Sequence, residues 1–412
     1  MPRISAFDSW LVKQQHASRT VAPSYDAVSA RERQDFAREN PDNFLNTMRL
    51  MEDFQDNERP ERSELLRLNR RVLDRLLEND AFEYQPEPSL FLYQLDTGTH
   101  VQTGVVCEVP VDEYDSGNIR KHEKTLTDKE SLLVNYLKVV GVSSSPICLT
   151  YSQSPSIDKL VDQICDKPAT LDFQSFDDVE QRIWQIQDPN IQSQFVDLFS
   201  SAEVTYLTDG HHRAASASRY CRAMQAAFNG EAPASTQKLL VALFPDNQLR
   251  LLPFHRSVRD LNGKNIQQIL DELEKDFTIT RIEQNEFAAS HHGEFGLFHQ
   301  DVWYKLEFRH DISRFANPVN QLDATILQNY ILEPIFGIRE SRDDPRLDYV
   351  PDVGGIDIIR DKVTEGWPVI LAMHAASIEQ LMAVADANEL MPPKSTYFDP
   401  KPRSGIFVRK RG

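Results

Sequence analysis

The sequence predicts a mixed α/β fold, and three observations carry that expectation. Apolar β-rich runs such as SLFLYQL, PICLTYS and QKLLVALFP alternate with helical stretches along the chain, the pattern of layered α/β domains. The 412 residues are 40% hydrophobic and 26% charged, a composition that fills a large core without disulfides or metal staples. One segment, TDGHHRAASA, ends a β-rich run at Asp209, turns at Gly210 and opens an Ala-rich helix at once, a strand–turn–helix unit of the kind on which α/β proteins build sites.

Residues 1–50 are irregular and Pro-punctuated. There the extended APSYD (Ala22 to Asp26) runs into Ser29, which caps a helix beginning ARER as Glu32 reaches back from the third helical position. Leu65, Leu66, Leu68, Val72, Leu73, Leu76 and Leu77 recur at helical spacing between Ser63 and Phe82, an amphipathic helix laid on a core. SLFLYQL and HVQTGVVCEVPV, joined by Asp96-Thr97-Gly98, form a hairpin. After IRKHEKTL comes the helix KESLLVNYLKVVG, ended by Gly141, and then the strand PICLTYS. A helix-rich stretch over roughly residues 156 to 202 precedes the strand EVTYL. The helix ASASRYCRAMQAAF follows, and then two strands, QKLLVALFP and QLRLLPFHRSV, around the turn Asp246-Asn247. Beyond a boundary near Asp260 the alternation repeats with IQQILDELEKDF, VWYKLEF, LDATILQNYILEPIFG, PVILAMH and SIEQLMAVADANEL. Two domains, residues 1–260 and 261–412, are expected, the second closing on a Pro-rich strap, MPPKSTYFDPKPRSG.

Lys and Arg total 45 against 63 Asp and Glu, a net charge of −18. Such a surface repels nucleic-acid phosphates and anionic membrane faces, so neither is an expected partner. The opening residues lack an apolar export segment, and no stretch approaches the ~18 apolar residues of a membrane span. Cys107, Cys148, Cys165 and Cys221 stand apart without a C-x-x-C pair. They read as reduced packing residues of a cytoplasmic protein.

The chemistry concentrates at TDGHHRAASA. First-turn N–H groups lack intrahelical partners and the helix dipole favours negative charge, so a glycine turn feeding a helix N-terminus makes an anion site. His211, His212 and Arg213 add donors around Gly210, and phosphate is the natural occupant. A carboxylate beside phosphate is repulsive unless a metal intervenes, which makes Asp209 the expected Mg²⁺ ligand. On spacing alone the alternative is a capped helix start with two partly buried histidines. His291-His292 is an internal control: SHHGEFG has turn composition and no following helix, so that pair reads as a solvated loop. A second candidate is Lys121-His122-Glu123-Lys124-Thr125, where a carboxylate flanked by cations is either a positioned base or a solvated helix start. G-x-x-x-x-G-K-[ST], G-x-G-x-x-G, H-E-x-x-H and G-x-S-x-G are all absent.

Five blocks, APSYDAVS, NPDNFLN, RKHEKTL, TDGHHRAASA and MPPKSTYFDPKPRSG, stand in an order that resembles the bacterial family known as domain of unknown function 1015. The DGHHR segment is also similar to the core motif of the ParB/sulfiredoxin superfamily. Its free-serine kinases carry an H-E pair, a helix, a P-I strand and later D-G-H-H-R with a helix. Here His122-Glu123, KESLLVNYLK, Pro146-Ile147 and Asp209 to Arg213 follow that order. The resemblance implies a ParB/sulfiredoxin-like core that handles nucleotide and phosphate, with Glu123 matching the kinase base and the DGHHR turn matching the phosphate cradle. The chain departs from those kinases in a longer stretch before DGHHR, an N-terminal segment and a large C-terminal part, so substrate residues do not transfer. Sulfiredoxin chemistry needs a Cys where this chain has His211, and a partitioning role needs a basic surface.

The expected function is therefore an Mg²⁺-dependent phosphotransferase that moves phosphate between ATP or ADP and a small hydroxylated metabolite such as serine. His122 and Glu123 are expected at the catalytic centre, with Glu123 deprotonating the acceptor hydroxyl, and Asp209 would hold Mg²⁺ or assist the base. Gly210, His211, His212 and Arg213 would neutralise the transferred group. Lys394 adds a donor if the strap folds back onto the first lobe; otherwise Tyr397 and Phe398 fill the C-terminal lobe and Lys394 faces solvent. The alternative function is a nucleotide-binding regulatory protein without turnover.

Overall fold

The computed structural model describes residues 3–23, 25, 29–201, 204–284, 286–353 and 355–411. The expected extended run Ala22 to Asp26 falls partly outside them. The chain is mixed α/β and divides into two compact units, Met1–Leu249 with Pro400–Gly412, and Arg250–Asp399. The observed division differs from a boundary near Asp260 for a reason of strand pairing. Leu251–Leu252 pairs with Tyr397–Phe398, and Phe254–Val258 lies between Val369–Met373 and Leu347–Pro351, all in the second unit. QLRLLPFHRSV thus does not pair with QKLLVALFP across the Asp246-Asn247 turn.

Among the described residues the first unit has an eleven-stranded sheet. Its main path runs Ile119–Arg120, Thr205–Asp209, Ile147–Tyr151, Lys238–Pro245, Val101–Pro110, Phe82–Asp96, Phe7–Val12, Phe407–Lys410 and Val142–Ser143. The inner strands are almost uninterruptedly apolar because both faces are covered. Leu90, Leu92, Val105, Cys107 and Val241 join one core, while Phe91, Tyr93, Val106, Leu240 and Ala242 join the other. The helices Pro155–Cys165, Pro189–Ser200 and His211–Ala227 cover the first of these faces through residues such as Ile157, Phe195, Phe199 and Ala214. Ala30–Glu39 and Arg62–Glu78 cover the second through Ala37, Leu73 and Leu76. The capping box forms: the Ser29 hydroxyl accepts from the Glu32 N–H, and the Glu32 carboxylate accepts from the Ser29 N–H.

The helix-rich stretch over 156–202 is broken by a hairpin, Leu171–Gln174 with Glu180–Ile186, whose second strand pairs with Phe82–Asp96. Its first strand alternates buried and exposed residues over only four positions. Such a short period-2 signal is easily masked by the longer helical patterns on either side.

The second unit has a six-stranded antiparallel sheet among its described residues. Its order is Phe277–Ile282, Val302–Phe308, Glu294–His299, Val369–Met373, Phe254–Val258 and Leu347–Pro351. Ile269, Leu273, Leu327 and Ile331 pack onto it. The ends of this unit are clasped, since the Asp399 N–H donates to the Arg250 carbonyl at 3.1 Å and Arg250 Nη2 donates to the Asp399 carboxylate at 2.6 Å.

The Pro-rich strap is divided between the two units. Tyr397 packs edge-on to Phe254 in the second, and Lys394, in a left-handed backbone conformation, holds its ammonium 5.3 Å from the same ring. From Pro400 onward the chain belongs to the first unit, where Phe407–Lys410 is an inner strand and Phe407 is buried against Phe7, Phe91 and Tyr93. The four cysteines are free, and no described helix is long and apolar enough to cross a membrane.

Truncating Phe407 empties a fully enclosed aromatic site. Phe407→Ala is expected to destabilise the first unit by about 3–5 kcal/mol in urea unfolding, whereas Phe228→Ala, at a half-exposed helix end, should cost less than ~1 kcal/mol. Equal small effects would show that the last strand is dispensable to this sheet.

Candidate functional site

Strand register assembles the site. Ile119–Arg120 runs parallel to Thr205–Asp209, with Ile119 opposite Thr205 and Arg120 opposite Tyr206. His122 and Glu123 therefore leave their strand beside the end of the other, where Asp209 and Gly210 lead into the helix. On the other side Ile147–Tyr151 pairs antiparallel, with a register shift that sets Cys148 opposite Asp209. Gly210 has φ +95°, and a Cβ there would lie 2.9 Å from the Arg213 guanidinium. The turn thus needs glycine both for its left-handed backbone and for its clearance.

His122 and His211 are 1% and 3% exposed, and their rings meet edge to face with centroids 4.5 Å apart. Burial lowers His122 to about 4, against a backbone hydrogen bond at Leu207 and the charge of Asp209. Burial, followed by the neighbouring His122, drives His211 well below the ordinary histidine range. Both imidazoles are accordingly neutral near pH 7. His211 Nδ1 lies 3.7 Å from Glu123 Oε2, beyond hydrogen-bond length, and the Glu123 side chain is 38% exposed. The buried His211 Nε2 makes no hydrogen bond among the described residues.

The other turn residues have partners within the protein. His212 Nε2 accepts from the Leu126 N–H at 3.1 Å, at the start of the helix Thr127–Val139. His212 thereby ties the start of its helix to the start of Thr127–Val139. Arg213 Nη1 donates to the carbonyls of Ser145 and Pro146 at 3.0 and 2.8 Å, and Nη2 to Asp209 Oδ2. Of the donors expected around Gly210, His211 is kept neutral by burial, His212 is tied to Leu126, and Arg213 to Ser145, Pro146 and Asp209.

Sequence reasoning missed Lys401. Its Nζ lies 3.1 Å from Asp209 Oδ1. Burial raises the Asp209 carboxyl, but the charges of Lys401 and Arg213 outweigh it and hold the group well below the usual carboxylate range. The strap contains two Pro-Lys steps, Pro393-Lys394 and Pro400-Lys401, and the sequence offers no means to choose between them. Lys394, a donor there only if the strap folds back, belongs to the second unit and holds its ammonium 5.3 Å from the Phe254 ring. Lys401 is set by the backbone around it. Gln102 donates to the Pro400 carbonyl, Arg403 Nη1 to the Lys401 carbonyl, and the Arg403 N–H to the Tyr93 hydroxyl.

His291-His292 also differs from a solvated loop. His291 is exposed, but His292 is half-buried, with its ring 4.7 Å from that of His374 and Nδ1 3.6 Å from Asp323 Oδ2. The cause is Asp323, whose other oxygen accepts from the Gly293 N–H and draws the turn inward. Among the described residues no group of three or more His, Cys, Asp or Glu side chains is arranged to hold a metal ion.

The family model described as protein of unknown function (DUF1015) matches residues 4–325. No curated protein matches the chain. Solved structures with similarity include a free serine kinase mutant in complex with ADP, 10% identical over 73% of this chain and 92% of that chain, with a TM-score of 0.37. A conserved hypothetical protein from Pyrococcus furiosus is 11% identical over 74% and 95%, also with a TM-score of 0.37. SbnI with a C-terminal truncation, from Staphylococcus aureus, is 12% identical over 72% and 84%, with the same TM-score. Likeness at this level carries no activity over to this chain.

The buried histidines give a pH signature. Between about 6.5 and about 4 the unfolded chain takes up a proton that folded His122 refuses, so stability falls as pH drops through that window and levels off below it. For His122 alone the loss is about 3 kcal/mol. Urea midpoints measured from pH 7.5 to 4.5 should fall less steeply in His122→Gln than in the unaltered protein, and parallel slopes would contradict a buried neutral His122.

Proposed function

The chain belongs to the DUF1015 family of proteins of unknown function, and we propose that its first unit is a cytoplasmic nucleotide-dependent phosphotransferase. Phosphate would move between ATP or ADP and a small hydroxylated metabolite such as serine. The observation that carries this reading is the buried neutral His211, with Nε2 unbonded among the described residues and Glu123 3.7 Å from Nδ1, at the N-terminus of a seventeen-residue helix. First-turn N–H groups of a helix lack intrahelical partners, and an imidazole nitrogen that carries its proton adds a donor, so such a start suits phosphate oxygens. The half-exposed Glu123 carboxylate would take the proton of an acceptor hydroxyl during transfer. His122 orients His211 by edge-to-face packing. The order of His122-Glu123, Pro146-Ile147 and DGHHR, which resembles that of free-serine kinases, supports the same assignment.

Asp209 and Glu123 carry two negative charges, and Lys401 and Arg213 carry two positive ones around the turn. A nucleotide di- or triphosphate adds several more negative charges, which supports a divalent cation accompanying it. Mg²⁺ commonly binds one or two carboxylates together with substrate phosphates and water, so a dedicated protein cage is not required. Asp209 would hold it, and the ion would supply electrostatic neutralisation of the transferred phosphoryl group. The observation that favours the alternative, a nucleotide-binding regulator, is that Asp209 already contacts two cations and Arg213 is engaged with backbone carbonyls.

Calorimetric titration with ADP, followed by a transfer assay with ATP and serine or related hydroxy compounds, separates these readings. Glu123→Gln should keep ADP affinity within about twofold while transfer falls at least ~10²-fold. Binding without transfer by the unaltered protein to any hydroxylated acceptor would establish the regulator instead.

A further inference from the structure

We propose that Glu130 and Arg219 are positioning residues which, through Thr125, hold Glu123 at its place beside His211. The inference rests on the phosphotransferase reading and deepens it by naming what aims the base. Glu123 lies in residues 121–126, a segment without regular secondary structure that joins Ile119–Arg120 to the helix Thr127–Val139. Connecting segments are the least fixed parts of a fold, whereas a general base has to stay within hydrogen-bond reach of its proton. The pairing of Arg120 with Tyr206 fixes where the segment begins. Its far end is fixed by the same helix that opens with His211.

His212, Ser216 and Arg219 are spaced four and three residues apart, so they form one stripe along the helix His211–Ala227. Ala214, Ala215, Ala217 and Tyr220 meanwhile pack into the core. The stripe binds the start of the neighbouring helix. His212 Nε2 accepts from the Leu126 N–H at 3.1 Å, Ser216 Oγ donates to the Glu130 carbonyl at 3.3 Å, and Arg219 Nη1 donates to Glu130 Oε2 at 3.0 Å. The other Glu130 oxygen turns back to the segment before the helix, where Thr125 Oγ1 donates to Oε1 at 2.6 Å. Glu130 thus spends one oxygen on each side and couples them. Its side chain is only 15% exposed, so these charge-assisted bonds are little screened by water. Apolar packing is non-directional and would join two helices without fixing how far one start lies along the other, which directed hydrogen bonds do fix. Arg219 stands nine residues beyond Gly210, about 13 Å along the helix, too far to meet phosphate at the turn. Thr125 is two residues from Glu123 and His212 is next to His211, so the clasp refers base and imidazole to one rigid element.

The test measures, on the full chain, phosphate transfer from ATP to serine and related hydroxy compounds together with ADP affinity by calorimetry, with thermal unfolding as the control for folding. Thr125→Val and Glu130→Ala should each lower kcat about 10- to 100-fold, the effect of displacing a reacting group by about 1 Å. ADP affinity should stay within about twofold, because neither change touches the phosphate turn. Thr125→Ser, which keeps the hydroxyl, should recover most of the lost rate. The double variant Thr125→Val/Glu130→Ala should fall no further than the worse single one, since both changes break the same chain of contacts. Losses that multiply, a kcat unmoved by Thr125→Val, or an ADP affinity that falls in step with kcat would each mark the clasp as merely structural and overturn the proposal. Should Glu130→Ala fail to fold, Arg219→Met combined with Thr125→Val supplies the same cycle. Absence of transfer by the unaltered protein defeats the phosphotransferase reading and this role with it, whereas transfer indifferent to all of these variants defeats the role alone.

Discussion

The insertion of Phe407–Lys410 between Phe7–Val12 and Val142–Ser143 is the constraint on which the first unit depends. An eleven-stranded sheet with two covered faces is incomplete until the last residues of the chain return to it. The intervening Arg250–Asp399 forms its own core and clasps its own ends. That clasp shortens the effective loop to be closed, since closure entropy grows only slowly with length and a folded insertion with adjacent ends removes most of it. The same return carries Lys401 and Arg403 into place, so sheet completion and the charge state of Asp209 are one structural event.

Around the DGHHR turn two opposed effects set the electrostatics. Burial strips His122 and His211 of charge, while paired cations keep Asp209 ionised despite its burial. The result is a site whose donors are mostly neutral and whose charges are matched before any ligand arrives. In a chain of net charge −18, two cations converge on the one carboxylate of Asp209 and compensate its charge at the turn.

The surroundings of His291-His292, of Lys394 and of Lys401 were hidden from the sequence for a shared reason. Each turned on a side chain whose partner lies far away in sequence: Asp323 for the loop, Phe254 for Lys394 and Asp209 for Lys401. The Leu171–Ile186 hairpin was hidden differently, by strands too short for their alternation to stand out against neighbouring helices.

The sequence by itself determined the α/β class, the capped helix after Ser29, the strands that run almost wholly apolar and the strand–glycine–helix turn at Asp209 to Arg213, because each is written in local spacing and residue type. It also brought out His122-Glu123 as a candidate. Tertiary structure alone decided that these residues meet His211, that His212 bonds to Leu126 and Arg213 to Ser145 and Pro146, and that Lys401 stands on Asp209. The physical reason is that burial and strand register are properties of the assembled sheet: the pairing of Arg120 with Tyr206 and of Phe407–Lys410 with Phe7–Val12 fixes which charges become neighbours and which lose their water.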